Sequence, residues 1–307
     1  MDIYATILPV ITMLLLGLFA KKAKLITKEG VAGLKGFVVN FTMPAVLFSA
    51  LCTVKFNLSV LAVVVLMFAI CVAAFFVGKL ISKLFAAHQA LIPFMTTGFE
   101  AGMMGYALFS TLYGAQNVGY FAVVDIGQMV FVFTLYLGLL NAKEGLSRSH
   151  TLKNMFKTPA FLAILAGLFF NLSGLAGLVL GTGAGSVAMG VINYIAAPTG
   201  CVILFAVGYE LAFTRSAMRS AVLVSAARLV IMAGLCAVFI LLSNLIFAGD
   251  AAYREFIPKA ALLMFSLPAP FVLPIYAKDE DDVCFSATYL SLYTLISILI
   301  FIVLVLV

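Results

Sequence analysis

Residues 98–105 read GFEAGMMG, and residues 266–274 read SLPAPFVLP. Each stretch lies in the middle of a long apolar run of the chain. A glycine weakens a helix by about 1 kcal/mol relative to alanine, and a proline removes a backbone donor and clashes with the preceding turn. The two stretches therefore predict two apolar helices that are interrupted near their middle.

The composition predicts that this chain is dissolved in lipid. Of its 307 residues, 65% are hydrophobic and only 10% are charged, whereas a soluble domain has about 25% charged residues. The net charge of +6 does not indicate a nucleic-acid partner, because the basic residues are spread over short loops and form no patch. The lipid bilayer is the expected surrounding.

The apolar runs predict an all-α, polytopic membrane protein with about ten transmembrane helices. Strands of a membrane barrel would alternate in polarity, and these runs are apolar on all sides. The spans are expected near 3–20, 32–54, 57–78, 89–113, 117–141, 159–176, 186–210, 220–248, 256–277 and 283–306.

Charge and repetition together predict two inverted halves. Most basic residues fall in one set of alternate loops, which places that set in the cytoplasm and both termini outside. The cytoplasmic linker 142–158 then separates two five-helix repeats, 1–141 and 159–307, which must be inverted because five is odd. Each half begins alike: GLF follows Pro9 at 17–19 and follows Pro159 at 167–169, with equal spacing.

Further helix breaks are expected at four positions. Pro44 and Pro198 interrupt the second span of each half, and Gly105 and Pro274 end the two central interruptions. Freed backbone groups cannot face lipid, so they must line a wet cavity or meet a ligand. Interrupted helices at matching positions indicate a transport site. Close helix packing at the glycines is the alternative.

The candidate site comprises the interruptions and three polar residues. Gly98, Gly102, Pro268 and Pro270 supply freed backbone at the interruptions. The half-helix N-termini there are expected to attract an anion. No metal site and no catalytic residue is expected, because H-E-x-x-H, G-x-S-x-G and paired-aspartate patterns are missing from the sequence, which argues against an enzyme.

Glu100 is the residue most indicative of function. A carboxylate within a span costs several kcal/mol unless it is protonated, paired or wet. We expect it to carry a proton or bind a cation, or else to be a neutral acid bonded to backbone. Asp125 and Gln128 lie three residues apart on one helical face. They are expected either to bind a coupling ion (H⁺ or Na⁺) or polar substrate, or to form an interhelical pair.

Three other charged positions are expected to be structural. Glu210 is expected to pair with Arg215 or Arg228, and Arg228 to extend toward the cytoplasm. The acidic run 279–282 is expected to cap the last helix through its dipole.

Several motifs resemble the auxin efflux carrier family, in its bacterial form, over essentially the whole chain. They are GLFAKKAKL at 17–25, Gly98 with MGYAL at 104–108 and Tyr113-Gly114, DIGQ at 125–128 with FVF at 131–133, KTPA at 157–160, and SAT at 286–288 with Thr294. The resemblance implies two inverted repeats, a scaffold domain, and a transport domain whose fourth and ninth helices unwind and cross, as in bile-acid symporters.

The resemblance also implies a function and a location. Family members in the plasma membrane are thought to move organic anions such as auxin, malate or malonate, and relatives suggest a homodimer. Plant members place a proline at the crossing of the fourth helix, whereas here the centre is Gly-rich and carries Glu100, which argues against the plant-type anion site and against plain uniport. We expect a secondary transporter of a small organic carboxylate working by alternating access. A membrane sensor or channel-like protein with the same fold is the alternative.

Overall fold

The computed structural model describes residues 3–54, 57–85, 88, 90–143, 156–277 and 279–306. Within these ranges the chain is helical and contains no strand. The α-helices are Ile3–Lys22, Lys28–Phe37, Met43–Thr53, Leu58–Ile81, Ile92–Met95, Tyr106–Tyr113, Val118–Phe131, Leu137–Lys143, Pro159–Leu172, Leu175–Leu180, Gly183–Ala196, Thr199–Glu210, Met218–Ile246, Ala251–Ser266 and Glu280–Leu306.

Six helical stretches of the described chain are long and apolar enough to cross a membrane: Lys28–Thr53, Leu58–Leu84, Ala115–Leu140, Gly183–Glu210, Met218–Ile246 and Glu280–Leu306. Large apolar side chains are mostly exposed on such helices, for example Phe76, Val230 and Leu299. An apolar surface of this extent is favourable only against lipid. The all-helical membrane fold is therefore confirmed. The ten-span inverted repeat remains a prediction, and most of the linker 142–158 lies outside the described residues.

The described residues form two compact units, each built from separate parts of the chain. The first unit takes its residues from 1–58, 102–122 and 147–210. In it, helix Ile3–Lys22 packs along Thr199–Glu210, and helix Pro159–Leu172 packs along Met43–Thr53. The second unit takes its residues from 59–101, 123–146 and 211–307. Helix Met218–Ile246 packs there on both Ala251–Ser266 and Glu280–Leu306.

Two glycines in the first unit allow helix backbones to touch. A Cβ on Gly17 would strike the backbone oxygen of Phe205, and a Cβ on Gly208 would strike that of Leu14. Small residues at a helix interface permit this close approach, which gains van der Waals contact in lipid. Gly17 belongs to the GLF motif that the sequence repeats.

The chain stays helical at Pro44, although the regular α-helix is interrupted just before the proline. Residues Val38–Thr42 form a π-helical turn that leads without interruption into Met43–Thr53. The Met43 N–H donates to the Val38 carbonyl, five residues earlier. This wider turn lets the helix pass Pro44, which has no N–H to donate. At Pro198 the helix does change: Gly183–Ala196 ends, and Thr199–Glu210 begins after the proline.

Candidate substrate and ion site

The first interruption lies where the sequence predicts it. The short helix Ile92–Met95 ends, residues 96–100 are not helical, and a π-helical turn begins at Ala101. Gly98 adopts φ +66°, a left-handed conformation that costs other residues about 1–2 kcal/mol. A Cβ at this position would also lie 3.2 Å from Pro270 Cδ. Both the conformation and the space therefore require glycine.

The second interruption meets the first inside the same unit. Helix Ala251–Ser266 ends before Pro268, and a 3₁₀ turn, Leu273–Tyr276, follows. The Glu100 N–H donates to the Pro268 carbonyl at 2.9 Å. Pro270 and Gly98 are in contact. We call residues 96–100 and 267–272 together the crossing.

The Glu100 side chain binds the crossing as well. Its Oε2 accepts a hydrogen bond of 2.6 Å from the Phe271 N–H. Pro268 and Pro270 lack N–H groups, so Phe271 supplies one of the few backbone donors that the second segment offers. The side chain is half-buried. The carboxylate thus sits where a helical turn presents its N-terminus, a position that favours negative charge.

Gln128 contacts the crossing. It is buried, and its Nε2 donates to the Phe99 carbonyl at 2.8 Å. Among the described residues its Oε1 has no hydrogen-bond partner, although buried polar atoms nearly always have one. This oxygen can accept a bond from water or from a ligand. Asp125 is buried one turn earlier on the same helix, with 1% of its side chain exposed.

Arg228 is the residue that the sequence reasoning misplaced. It does not extend toward a surface, because it is completely buried. Its Nη1 donates to the Met95 carbonyl at 2.8 Å and to the Thr97 carbonyl at 3.5 Å. Its Nη2 donates to Gly98 at 2.7 Å and to Leu267 at 3.0 Å. The guanidinium therefore bonds carbonyls from both segments of the crossing.

Two aromatic rings complete the surroundings of this cation. The Phe99 and Tyr293 ring centroids lie 5.3 and 5.1 Å from the Arg228 Cζ atom, within the range of cation–π attraction. The Tyr289 hydroxyl donates to the same Met95 carbonyl as Arg228. The Tyr293 hydroxyl is buried without a partner among the described residues. A hydroxyl that can still form a hydrogen bond is therefore carried by a ring that contacts the Arg228 guanidinium.

The remaining predicted site residues are Gly102, Gly105 and Pro274. Gly102 and Gly105 belong to the π-helical turn Ala101–Gly105, and both are assigned to the first unit. A Cβ on Gly102 would lie 2.6 Å from Met43 Cε, so this glycine allows close packing. Pro274 is the second residue of the 3₁₀ turn Leu273–Tyr276.

The first unit contains a cavity of its own, which no sequence pattern predicted. Its volume is about 1170 Å³, and none of the described residues that line it is charged. Ser49, Tyr106 and Asn193 contribute polar atoms to its wall. The Ser49 hydroxyl donates to Asn193 Oδ1 at 2.8 Å. A cavity of this kind suits a molecule that is largely apolar.

Two further charged residues make contacts within the fold. Glu210 pairs with Lys35 at 2.6 Å, and not with the expected Arg215 or Arg228, because Arg228 is committed to the crossing. Asp279 Oδ1 accepts the Asp282 N–H at 2.8 Å, which confirms that the acidic run caps the last helix.

Comparison with known proteins agrees with the structure. The family model described as membrane transport protein matches residues 2–307. The chain is also 26% identical over 306 residues to an uncharacterized transporter from Methanothermobacter thermautotrophicus, and the match covers 95% of this chain and 94% of that protein. This chain is therefore a multi-pass membrane protein and belongs to the membrane transport protein family, the auxin efflux carrier family that its sequence resembles.

Proposed function

We propose that this protein is a secondary transporter that moves a small organic carboxylate across the cell membrane by alternating access. The observation that carries the proposal is the hydrogen bond from the Phe271 N–H to Glu100 Oε2. The Phe271 N–H binds the Glu100 carboxylate, and it could bind the carboxylate of a substrate in the same way. Membership of a transporter family and the crossing of two interrupted helices support the same function.

Charge favours an anion as substrate. Arg228 places one fixed positive charge at the crossing, and its guanidinium is buried. When Glu100 accepts a proton, its carboxyl no longer needs the Phe271 N–H, and the net charge of the pair becomes positive. A substrate carboxylate can then take this donor and balance Arg228. Gln128 Oε1 would accept a bond from a hydroxyl or acid group of the substrate.

The proton is the coupling ion that fits this arrangement. If the anion binds only when Glu100 is protonated, the anion and the proton cross the membrane together in the same direction, which is proton symport. Of the two ions that the sequence allowed, H⁺ and Na⁺, the proton needs no further ligand. Asp125, buried one turn from Gln128, is the second group that we assign to the proton path. No bound cofactor enters this scheme.

We also propose the finer architecture. Ten spans would form two inverted repeats, 1–141 and 159–307, with both termini outside. The exchange of helix partners supports this: the first helix of each half packs on the second helix of the other half. The repeated glycines act alike, since Gly17 lies against Phe205 and Gly167 lies against Phe48 and Leu51. The homodimer that the family resemblance implies stays a proposal, which light scattering of purified protein would test.

The proposal is tested by binding and then by transport. Small mono- and dicarboxylates, malate and malonate among them, are screened for a rise in the melting temperature of purified protein. A specific ligand should raise it in a saturable way, and more at acidic pH because Glu100 must be protonated. The strongest ligand is then used for counterflow in proteoliposomes. A carrier exchanges labelled for unlabelled substrate, whereas a sensor does not.

A further inference from the structure

We propose that Arg228 is a built-in cation that occupies the position of a free coupling cation at the crossing. Unwound backbone carbonyls at the ends of half-helices are the groups that coordinate Na⁺ in transporters with broken helices. Here the carbonyls of Met95, Gly98 and Leu267 are bonded by one guanidinium at 2.7–3.0 Å. The cation at this site is therefore supplied by the chain itself.

The burial of Arg228 makes this assignment specific. A fully buried charge is tolerated only where it is paired and hydrogen-bonded. The compensation comes from carbonyl dipoles of both segments and from the faces of Phe99 and Tyr293. Of the five N–H donors of a guanidinium, four are on Nη1 and Nη2, so one side chain can bond to four carbonyls at once. These bonds hold residues 95–98 and residue 267 together.

This arrangement has a consequence for ion selectivity. With the guanidinium in place, the carbonyls of the crossing are not available to an alkali cation, so Na⁺ should not bind there. When the side chain is shortened, the Gly98 and Leu267 carbonyls lose this donor and the Met95 carbonyl keeps the Tyr289 hydroxyl, so a small cation can take the place of the guanidinium. That Na⁺ does not drive transport rests on the proposed carrier function, whereas the cation exchange at the carbonyls does not.

The test measures thermal unfolding of full-length protein with a thiol-reactive dye, which reports exposure of the buried Cys52, Cys71 and Cys236. We compare wild type with Arg228→Ala and Arg228→Lys. The control is Arg219→Ala, because Arg219 is an exposed arginine on the same helix. Each protein is measured in NaCl, in choline chloride and in a low concentration of methylguanidinium chloride, all at equal ionic strength. We expect wild type and Arg219→Ala to melt at one temperature in all three salts. Arg228→Ala should melt roughly 5–10 °C lower in choline, and Na⁺ or methylguanidinium should restore part of this loss.

A saturable rise of the wild-type melting temperature with Na⁺ would overturn the inference, and this arm needs no variant. An Arg228→Ala protein that melts like wild type in choline would overturn it too. If Arg228→Ala does not fold, Arg228→Lys decides: a single ammonium replaces only part of the guanidinium fork, so this variant should melt below wild type in choline, and a variant that melts like wild type would overturn the inference. Absence of any substrate exchange in proteoliposomes would count against the carrier function alone and leave the stability result unaffected.

Discussion

Glu100 is hydrogen-bonded to the second interrupted segment through its side chain, because its Oε2 accepts the Phe271 N–H at 2.6 Å. The two residues are 171 positions apart in the chain. A carboxylate that a bilayer would otherwise exclude is thus held on a backbone donor. The contact joins the group that can change charge to the segment whose position must change if the crossing opens alternately to the two sides.

Replacing Glu100 by glutamine should remove the pH dependence of uptake. The amide oxygen can still accept the Phe271 N–H, so we expect the protein to fold, but the side chain can no longer gain or lose a proton. Initial uptake rates are measured in proteoliposomes between about pH 5 and pH 8. Glu255→Gln serves as the control, because Glu255 is an exposed helix residue paired with Lys259. A Glu100→Gln protein with an unchanged pH profile would argue against Glu100 as the proton carrier.

Replacing Gly98 by alanine should destabilise the crossing. The left-handed backbone costs alanine about 1–2 kcal/mol, and the new methyl group would lie 3.2 Å from Pro270. We expect a lower melting temperature and little uptake. Gly36→Ala is the control, since a Cβ there meets nothing within 4 Å and alanine favours a helix by about 1 kcal/mol. If both variants melt alike, the close contact at residue 98 is not required.

Replacing Gln128 by leucine should weaken both the fold and substrate binding. The Phe99 carbonyl loses its donor, and an unsatisfied buried carbonyl costs about 1–3 kcal/mol. The half-saturation concentration for the substrate should rise, because Oε1 is also lost. Gln116→Leu is the matched control for stability, as Gln116 is exposed. Equal melting temperatures for Gln128→Leu and wild type would contradict this role.

Replacing Gly17 or Gly167 by alanine should separate packed helices of the first unit. At Gly17 the methyl group would strike the Phe205 backbone, and at Gly167 it would lie 3.1 Å from Leu51 Cβ. Overpacking costs about 1–3 kcal/mol. We expect the melting temperature to fall most for Gly17→Ala, less for Gly167→Ala, and not at all for Gly234→Ala, where the space is open. Any other order would count against the packing account.

Labelling of introduced cysteines tests the orientation. In a Cys201→Ser background, which removes the exposed native thiol, Tyr4→Cys and Leu84→Cys each add a thiol at a highly exposed position. An outside N-terminus predicts that a membrane-impermeant maleimide labels residue 4 in intact cells and residue 84 only after permeabilisation. The opposite pattern would invert the topology.

Sequence reasoning located the interruptions because backbone chemistry is local. Pro268 and Pro270 cannot continue a helix wherever the chain places them, and Gly98 allows the backbone angle that the break adopts. Family resemblance supplied the further expectation that the segments meet. The break at Pro44 is of another kind, because a π-helical turn interrupts the α-helix there and the chain nevertheless stays helical.

The partner of a long side chain could not be predicted in the same way. Arg228 lies within an apolar run, and the sequence alone favours extension to the nearest aqueous edge. Its actual partners, such as Leu267 and Met95, are carbonyls that become available only because two distant helices are broken and meet. Glu210 was assigned to the wrong arginine for the same reason, since Lys35 is its neighbour only in the folded unit.

The central claim, that this protein is a carrier, is tested most directly by counterflow. Proteoliposomes are loaded with a high concentration of the best-binding unlabelled carboxylate and diluted into a trace of the labelled compound without Na⁺. We predict that the label accumulates transiently above its equilibrium level, faster at pH 5.5 than at pH 7.5. Label that enters without such an overshoot, or only to the level seen in protein-free vesicles, would contradict the account.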